Sequence, residues 1–206
     1  MKIKICGLKN LNDVKAVNSR PPDYAGFVFA ESARRVDVQA AKTLIGALDG
    51  KIKPVGVFVN ENIESLINAV LSLNLYAAQL HGDETPDYAR ELAERANVKI
   101  IKAFRFTGFN TITQAESFPC DYALFDAYSP EKRGGTGKSV DFSEFAKYRE
   151  QITKPFFIAG GINTANIAQA IRLNPRAIDV SSGAETAGDK DAGKIAALCA
   201  AVKGTV

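Results

Sequence analysis

Short apolar segments alternate with amphipathic segments along the chain, and the apolar ones are rich in Val, Ile and Phe. This alternation is typical of α/β proteins in which a helix follows each strand. We predict eight strands, which end near Cys6, Phe29, Val59, Leu80, Phe104, Asp126, Ala159 and Val180. The strand ends recur about every 25 residues, close to the minimum for a strand, a helix and two short loops.

Helix start signals occur in several of the intervening segments. Asp37 is predicted to cap a helix that runs to Leu48, and Thr85, followed by a proline, is predicted to cap another. Such side chains accept hydrogen bonds from the unpaired amides of a first turn. We expect further helices to begin at Asp141, Asn163 and Asp189. The segment after Phe104 has a loop-like composition that leaves room for only a short helix.

Eight such units without a low-complexity linker predict one domain over residues 1–206, a closed (β/α)8 TIM barrel. An open doubly wound sheet is the alternative, although no Gly-x-Gly-x-x-Gly nucleotide loop follows the first strand. In a barrel, side chains at the carboxyl ends of the strands face the active site. The chemistry of these strand ends therefore decides the function.

Composition and charge exclude several classes of function. The chain is 46% apolar and 24% charged, with a formal charge of +3, and no basic run is interleaved with aromatic residues as nucleic-acid binding requires. Polar residues or glycines interrupt the least charged segments, 65–80 and 155–171, so we expect no membrane span. Three widely spaced cysteines and a first segment that reads as a strand favour a cytoplasmic protein with reduced thiols. Monomer and homodimer both remain open.

Two reactive side chains lie at predicted strand ends. Cys6 ends the first strand and Asp126 ends the sixth, so a barrel would bring both to one pocket, where a thiol and a carboxyl can act as base and acid. A buried acid is costly unless it is paired or used. For Cys6, a small core residue is the alternative, because most free cysteines are structural.

Two glycine-containing turns follow the last two strands. Gly160 and Gly161 follow strand seven, and Ser182 and Gly183 follow strand eight. Glycines allow backbone N–H groups to approach an anion, and barrels often bind phosphate in these two loops. We therefore predict a phosphate site there.

Arg34 follows the second strand, where a guanidinium can pair with a carboxylate or a phosphate. His81, the only histidine, ends the fourth strand; a lone histidine is more often a hydrogen-bonded structural residue than a catalyst, and we place it among the substrate contacts. With no second His or paired Cys, we predict no metal. The segment 131–139 superficially suggests a Walker A loop, but Lys132 stands where that motif needs glycine. We expect a flexible loop over the pocket at Gly134–Lys138.

Short motifs follow one another in a fixed order over nearly the whole chain: Lys4-Ile5-Cys6-Gly7, Gly26-Phe27-Val28-Phe29, Ser32 to Arg34, Gly56 to Asn60, Gln79-Leu80-His81-Gly82, Asp126 with Gly134 to Gly137, Ala159-Gly160-Gly161, and Asp179 to Gly183 with Glu185. In these motifs the chain resembles the phosphoribosylanthranilate isomerases of tryptophan biosynthesis. The resemblance implies a (β/α)8 barrel, no cofactor, and an Amadori rearrangement of a phosphorylated aminoaldose to a ketose.

The resemblance also implies a role for each site residue. Asp126 would be the general acid that protonates the ribose ring oxygen, and Cys6 the general base that takes the C2 proton. Arg34 would bind the anthranilate carboxylate, while Gly160, Gly161, Ser182 and Gly183 would hold the phosphate. A free thiol titrates near ~8.5, so a cation close to Cys6 would help the base.

Three positions depart from the family pattern. Lys9 replaces a Thr or Ser, Ala33 replaces the proline of Ser-Pro-Arg, and Ala187 replaces a proline. The change at Ala33 leaves open which of Arg34 and Arg35 faces the ligand. The alternatives to this function are the related isomerase of histidine synthesis, which has a carboxylate as its first-strand base and binds two phosphates, and a non-catalytic barrel that binds a phosphorylated ligand.

Overall fold

The computed structural model describes residues 1–126 and 142–204. Eight parallel strands form the barrel: β1 (Lys2–Cys6), β2 (Tyr24–Val28), β3 (Lys53–Phe58), β4 (Ala77–Leu80), β5 (Lys99–Arg105), β6 (Tyr122–Asp126), β7 (Phe156–Ile158) and β8 (Ala177–Val180). The helices that the structure describes are α1 (Leu11–Ser19), α2 (Val38–Gly46), α3 (Ile63–Leu73), α4 (Pro86–Ala96), α5 (Phe109–Ser117), α6 (Phe142–Ala146), α7 (Ile167–Arg172) and α8 (Ala192–Lys203). Each observed strand ends within one residue of its predicted end.

The strands follow chain order around the barrel, and β1 pairs with β8 to close it. Closure excludes the open doubly wound sheet and confirms the predicted (β/α)8 barrel. In the closing pair, Lys4 lies opposite Asp179. Two short antiparallel strands, β9 (Glu185–Thr186) and β10 (Asp189–Lys190), extend the loop after β8.

Two apolar clusters pack against the strands. The outer cluster lies between strands and helices, as the amphipathic segments predict. The inner cluster comes from barrel strands and includes Tyr24, Leu124 and Phe157. Its side chains fill the barrel interior. The polar groups farther along the strands therefore lie above a tightly packed apolar layer.

Several helix starts agree with the sequence and others do not. The side chains of Asp37 and Thr85 cap α2 and α4 as predicted, although α2 ends at Gly46 rather than Leu48. The helix start predicted at Asp189 is wrong, because that residue pairs in β10. Asp191 caps α8 instead, and its side chain accepts a hydrogen bond from the Lys194 amide.

The predicted start at Asn163 is also early. Its side chain accepts from the Ala165 amide at 2.8 Å and forms a turn, and α7 begins only at Ile167. The start predicted at Asp141 lies outside the described residues, and α6 is described from Phe142 onward.

The segment after β5 is more helical than its composition indicates. Helix α5 covers nine residues and follows Gly108, whose φ of 118° lies outside the range that other residues readily adopt. Gly108 has no side chain to cap the helix. Instead, the Thr111 hydroxyl accepts from the Thr107 amide at 3.1 Å, a contact that the order of residues does not reveal.

Candidate active site

Cys6 lies at the carboxyl end of β1 with 7% of its surface exposed. Its strand neighbour in β2 is Gly26. A Cβ atom at Gly26 would lie 2.6 Å from the Cys6 Sγ, so only glycine leaves room for the thiol at this position. The sequence therefore places the sulfur at the mouth of the barrel by omitting a side chain on the adjacent strand.

Charged side chains surround the Cys6 thiol. Lys4 is fully buried, and its Nζ lies 2.9 Å from Asp179 Oδ2. Burial raises the pKa of the Cys6 thiol; the charges of Lys4 and Lys190 act in the opposite direction, and Asp179 acts with burial. The two lysines thus supply the cations that a thiolate needs, but their charges do not outweigh burial, so the pKa of the thiol is raised overall.

Arg34 is packed directly beside this strand end. Gly7, at φ 85°, makes the close approach possible, because a Cβ atom there would lie 2.4 Å from the Arg34 Cδ. The Arg34 guanidinium makes a bidentate contact with Glu185, with both N···O distances at 2.7 Å. Arg35 is exposed. The structure therefore brings Arg34, and not Arg35, toward Cys6.

Glu185 connects Arg34 to a second buried cation. Its Oε1 lies 2.6 Å from the Nζ of Lys190, whose side chain is 1% exposed. Burial alone would raise the pKa of Glu185, but its hydrogen bonds to Arg34 and Lys190 lower it overall, so the carboxylate stays ionised. Burial lowers the pKa of Lys190, an effect that Glu185 only partly opposes.

The carboxyl end of β6 carries the other reactive group. Asp126 is partly buried, with 14% of its side chain exposed, and its Oδ2 lies 3.4 Å from His81 Nε2. A cavity of about 460 Å³ opens beside these two residues. Its walls also include Lys102, Arg105, Gln114 and Phe118. Asp126 and His81 therefore border a space large enough for a small organic molecule.

The loop that carries His81 is held by a buried ion pair. Lys102 Nζ lies 2.8 Å from Glu84 Oε2 and 2.7 Å from the Gly82 carbonyl. Glu84 Oε1 also accepts a hydrogen bond from the backbone N–H of Asn60 at 2.8 Å. These contacts join the loops after β3 and β4, so His81 is on a fixed backbone.

A hydrogen-bonded side chain in the barrel interior connects the two strand ends. Gln79 Oε1 accepts from Lys4 Nζ at 2.8 Å, and Gln79 Nε2 lies 2.8 Å from His81 Nδ1. Gln79 is 1% exposed. The groups near Cys6 and the groups near Asp126 are therefore parts of one connected polar layer.

The predicted phosphate residues come together after β7 and β8. Gly160 and Gly161 have φ values of 94° and 62°, which favour glycine. A Cβ atom at Gly183 would lie 1.9 Å from the Ile162 carbonyl oxygen, so the two loops touch. Within the described ranges, the amides of Gly160, Gly161, Ser182 and Gly183 donate to no backbone acceptor. They are four donors at one edge of the barrel mouth.

The sequence patterns did not assign roles to Gln79, Asp179 or Lys190. Lys190 occurs in a polar Gly-Asp-Lys-Asp segment that looks solvent-exposed, and only its burial distinguishes it. No three His, Cys, Asp or Glu side chains gather as metal ligands in the part of the chain that the structure describes. The same residues include no helix long and apolar enough to cross a membrane. The expected loop at Gly134–Lys138 lies outside the described residues.

A closed (β/α)8 barrel with reactive side chains at its carboxyl-terminal mouth has the architecture of the barrel enzymes, whose active sites lie at that end. Comparison with known proteins gives the particular family. The family model for N-(5'phosphoribosyl)anthranilate (PRA) isomerase matches residues 3–201, and the chain belongs to this family. Isomerisation of phosphoribosylanthranilate, a step of tryptophan biosynthesis, is the activity that the membership assigns.

Individual relatives agree over nearly their full lengths. The N-(5'-phosphoribosyl)anthranilate isomerase of Lachnoclostridium phytofermentans is 42% identical, over 95% of this chain and 94% of the relative. The crystal structure of phosphoribosyl anthranilate isomerase from Thermus thermophilus matches with a TM-score of 0.88 at 31% identity, covering 100% of both chains. A second structure, of the isomerase with reduced 1-(o-carboxyphenylamino)-1-deoxyribulose 5-phosphate, has a TM-score of 0.83 at 31% identity and covers 99% of both chains.

Proposed function

We propose that this chain, as a single barrel domain over residues 1–206, isomerises phosphoribosylanthranilate with Asp126 as general acid and Cys6 as general base. The observation that carries this assignment is the position of the two groups at one barrel mouth, separated by β7 and β8. The substrate is a small phosphorylated molecule, as is the analogue bound by the related structure. The proposal involves no nucleic acid, no metal and no cofactor.

The first step is ring opening. Asp126 donates a proton to the ribose ring oxygen, the bond from C1 to that oxygen breaks, and the anthranilate nitrogen forms an iminium with C1. Asp126 is partly buried at the carboxyl end of β6, where it borders the cavity. The cavity beside Asp126 and His81 provides the space for this end of the substrate.

The second step is proton removal. Cys6 takes the proton from C2, the C2 electrons neutralise the iminium as an enolamine, and the enolamine tautomerises to the ketone. The positive iminium favours the Cys6 thiolate by direct charge interaction, in addition to Lys4 and Lys190. The thiolate form is therefore favoured when the intermediate that needs it is present.

The acidic groups of the substrate meet separate binding sites. A guanidinium has five N–H donors, and Glu185 occupies two of those of Arg34, so three remain for the anthranilate carboxylate. The amides of Gly160, Gly161, Ser182 and Gly183 bind the phosphate. His81 contacts the substrate at the cavity wall. A monomer and a homodimer are both compatible with this site.

The test is turnover of fresh phosphoribosylanthranilate by the purified protein, followed as loss of substrate fluorescence without added metal or nucleotide. The phosphorylated substrate of the histidine-pathway isomerase is assayed in parallel. We expect turnover of the first and none of the second. Absence of turnover of the first substrate would refute the proposed activity.

The base is tested by Cys6→Ser, with Cys120→Ser as the matched control. General bases typically contribute about 10²- to 10⁴-fold, so we expect kcat to fall by about 10²-fold or more in Cys6→Ser. Cys120 lies elsewhere, after α5, and its variant should keep full activity. Equal activities of the two variants would remove Cys6 from the mechanism.

A further inference from the structure

Gln79 connects the cation of Lys4 to the imidazole of His81. Its side chain is buried in β4, with the amide oxygen 2.8 Å from Lys4 Nζ and the amide nitrogen 2.8 Å from His81 Nδ1. The other ring nitrogen of His81 lies 3.4 Å from Asp126 Oδ2. Four side chains from β1, β4, β6 and the loop after β4 therefore form one chain of contacts.

The direction of each hydrogen bond in this chain is fixed by Lys4. A lysine ammonium has three donors and no acceptor, so the group of Gln79 that faces it must be the carbonyl oxygen. The opposite orientation would bring two N–H donors together in a buried place, where an unpaired donor is strongly unfavourable. Asp179 keeps Lys4 charged: burial lowers the pKa of Lys4, but the charges of Asp179 and Cys6 raise it overall.

The orientation of Gln79 then determines the protonation of His81. Gln79 presents an N–H group to Nδ1, so Nδ1 must accept and carries no proton. The single proton of the neutral ring is therefore on Nε2, which faces Asp126 Oδ2 at 3.4 Å. A doubly protonated ring would oppose the Gln79 amide with a second N–H, so this contact also disfavours the imidazolium.

We propose that Gln79 is a positioning residue that holds His81 as the neutral Nε2–H tautomer beside Asp126. The proposal rests on the proposed function, in which Asp126 is the general acid. An imidazolium at this position would stabilise the Asp126 carboxylate and oppose the protonated form that an acid needs. A neutral Nε2–H, 3.4 Å from Oδ2, instead presents a donor to the carboxyl without placing a full positive charge beside it.

The first test is ¹⁵N NMR of protein labelled in histidine. His81 is the only histidine, so every ring ¹⁵N signal belongs to it. Protonated and unprotonated ring nitrogens have well separated shifts, and we expect Nε2 protonated and Nδ1 unprotonated at neutral pH. A protonated Nδ1 would overturn the proposal. This measurement needs no substrate. An inactive protein would therefore refute the proposed function and leave the proposal about the His81 tautomer testable.

The second test reverses the hydrogen bond at Nδ1. Gln79→Glu presents a carboxylate to both Lys4 and Nδ1, so His81 should become protonated on Nδ1. We expect kcat to fall by about 10- to 100-fold, part of the usual contribution of a general acid, with KM nearly unchanged. Gln151→Glu makes the same chemical change at an exposed site before β7, near the opposite end of the barrel, and should change neither quantity.

Two further results would overturn the proposal. One is a Gln79→Glu protein whose His81 signals match those of the wild type. The other is a fall in kcat in Gln79→Glu while Nδ1 of His81 stays unprotonated. That combination would indicate that Gln79 has a purely structural role. If Gln79→Glu does not fold, Gln79→Met removes the amide without adding charge. The ¹⁵N signals should then show the Nδ1–H tautomer or a mixture, and an unchanged Nε2–H tautomer would contradict the assignment.

Discussion

The two sides of the barrel mouth differ in how they hold their reactive groups. On the β1–β8 side, Cys6 is buried among Lys4, Asp179, Lys190 and the other members of a compact charged network. On the β4–β6 side, Asp126 lies 3.4 Å from the His81 imidazole and borders a cavity of about 460 Å³ whose walls also include Lys102 and Arg105.

This difference corresponds to the opposite demands of the two proton transfers. A base must become negatively charged, and the lysines reduce the cost of a buried thiolate. An acid must be protonated before it acts. Gln79 contacts Lys4 on one side and His81 on the other. In our proposal, this neutral amide keeps the positive charge of Lys4 from being extended to the imidazole beside Asp126.

The largest expected effect comes from removing the acid. Asp126→Asn keeps the shape of the side chain but cannot donate an acidic proton, so kcat should fall by about 10²- to 10⁴-fold. Asp121→Asn is the matched control at the other end of β6, where Asp121 pairs with Lys99. Circular dichroism should show both variants folded. Equal steady-state activity of the two would contradict the acid role of Asp126.

Next in size is the loss of the carboxylate contact. Arg34→Ala should raise KM by about 10- to 100-fold, since a charged hydrogen-bonded pair contributes about 1.5–3 kcal/mol. Its effect on kcat should be smaller. Arg35→Ala removes an exposed guanidinium and should leave KM unchanged. If the two variants exchanged these results, the assignment of the substrate carboxylate to Arg34 would be wrong.

A smaller effect is expected where the two phosphate loops touch. Gly183→Ala would place a methyl group 1.9 Å from the Ile162 carbonyl, and relieving such overpacking costs about 1–3 kcal/mol of unfolding free energy. The loops must separate, so KM should rise, but less than in Arg34→Ala. Gly46→Ala at the end of α2 has open space around its new methyl group and is the control. A Gly183→Ala protein with unchanged KM would argue against this phosphate site.

Strand positions were predictable because burial on both faces gives parallel strands continuous apolar runs. Leu80, Asp126 and Val180 end strands where the pattern predicts. Helix starts were less accurate, since Asp189 and Asp191 are equally good caps by residue type and only the pairing of β10 decides between them.

The site was predictable in its reactive groups but not in their surroundings. Cys6 and Asp126 stand out because reactive side chains at strand ends are few. Gln79 acts through burial and through its contact with Lys4, at a sequence separation of 75. Lys190 lies only five residues from its partner Glu185, but nothing in the local sequence shows that it is buried. No local pattern contains that information. The bidentate Glu185 contact of Arg34, with a separation of 151, is of the same kind.

The central claim, that a buried thiol assisted by nearby cations is the base, is tested most directly by the pH dependence of kcat/KM. Because burial raises the pKa of Cys6, kcat/KM should rise with pH through a transition above the usual range of a thiol. Lys190→Met removes a charge that favours the thiolate, so its transition should move to still higher pH. Lys203→Met, at the exposed end of α8, should match the wild type. A transition that stays in place in Lys190→Met, or its absence from the wild-type profile, would contradict the account.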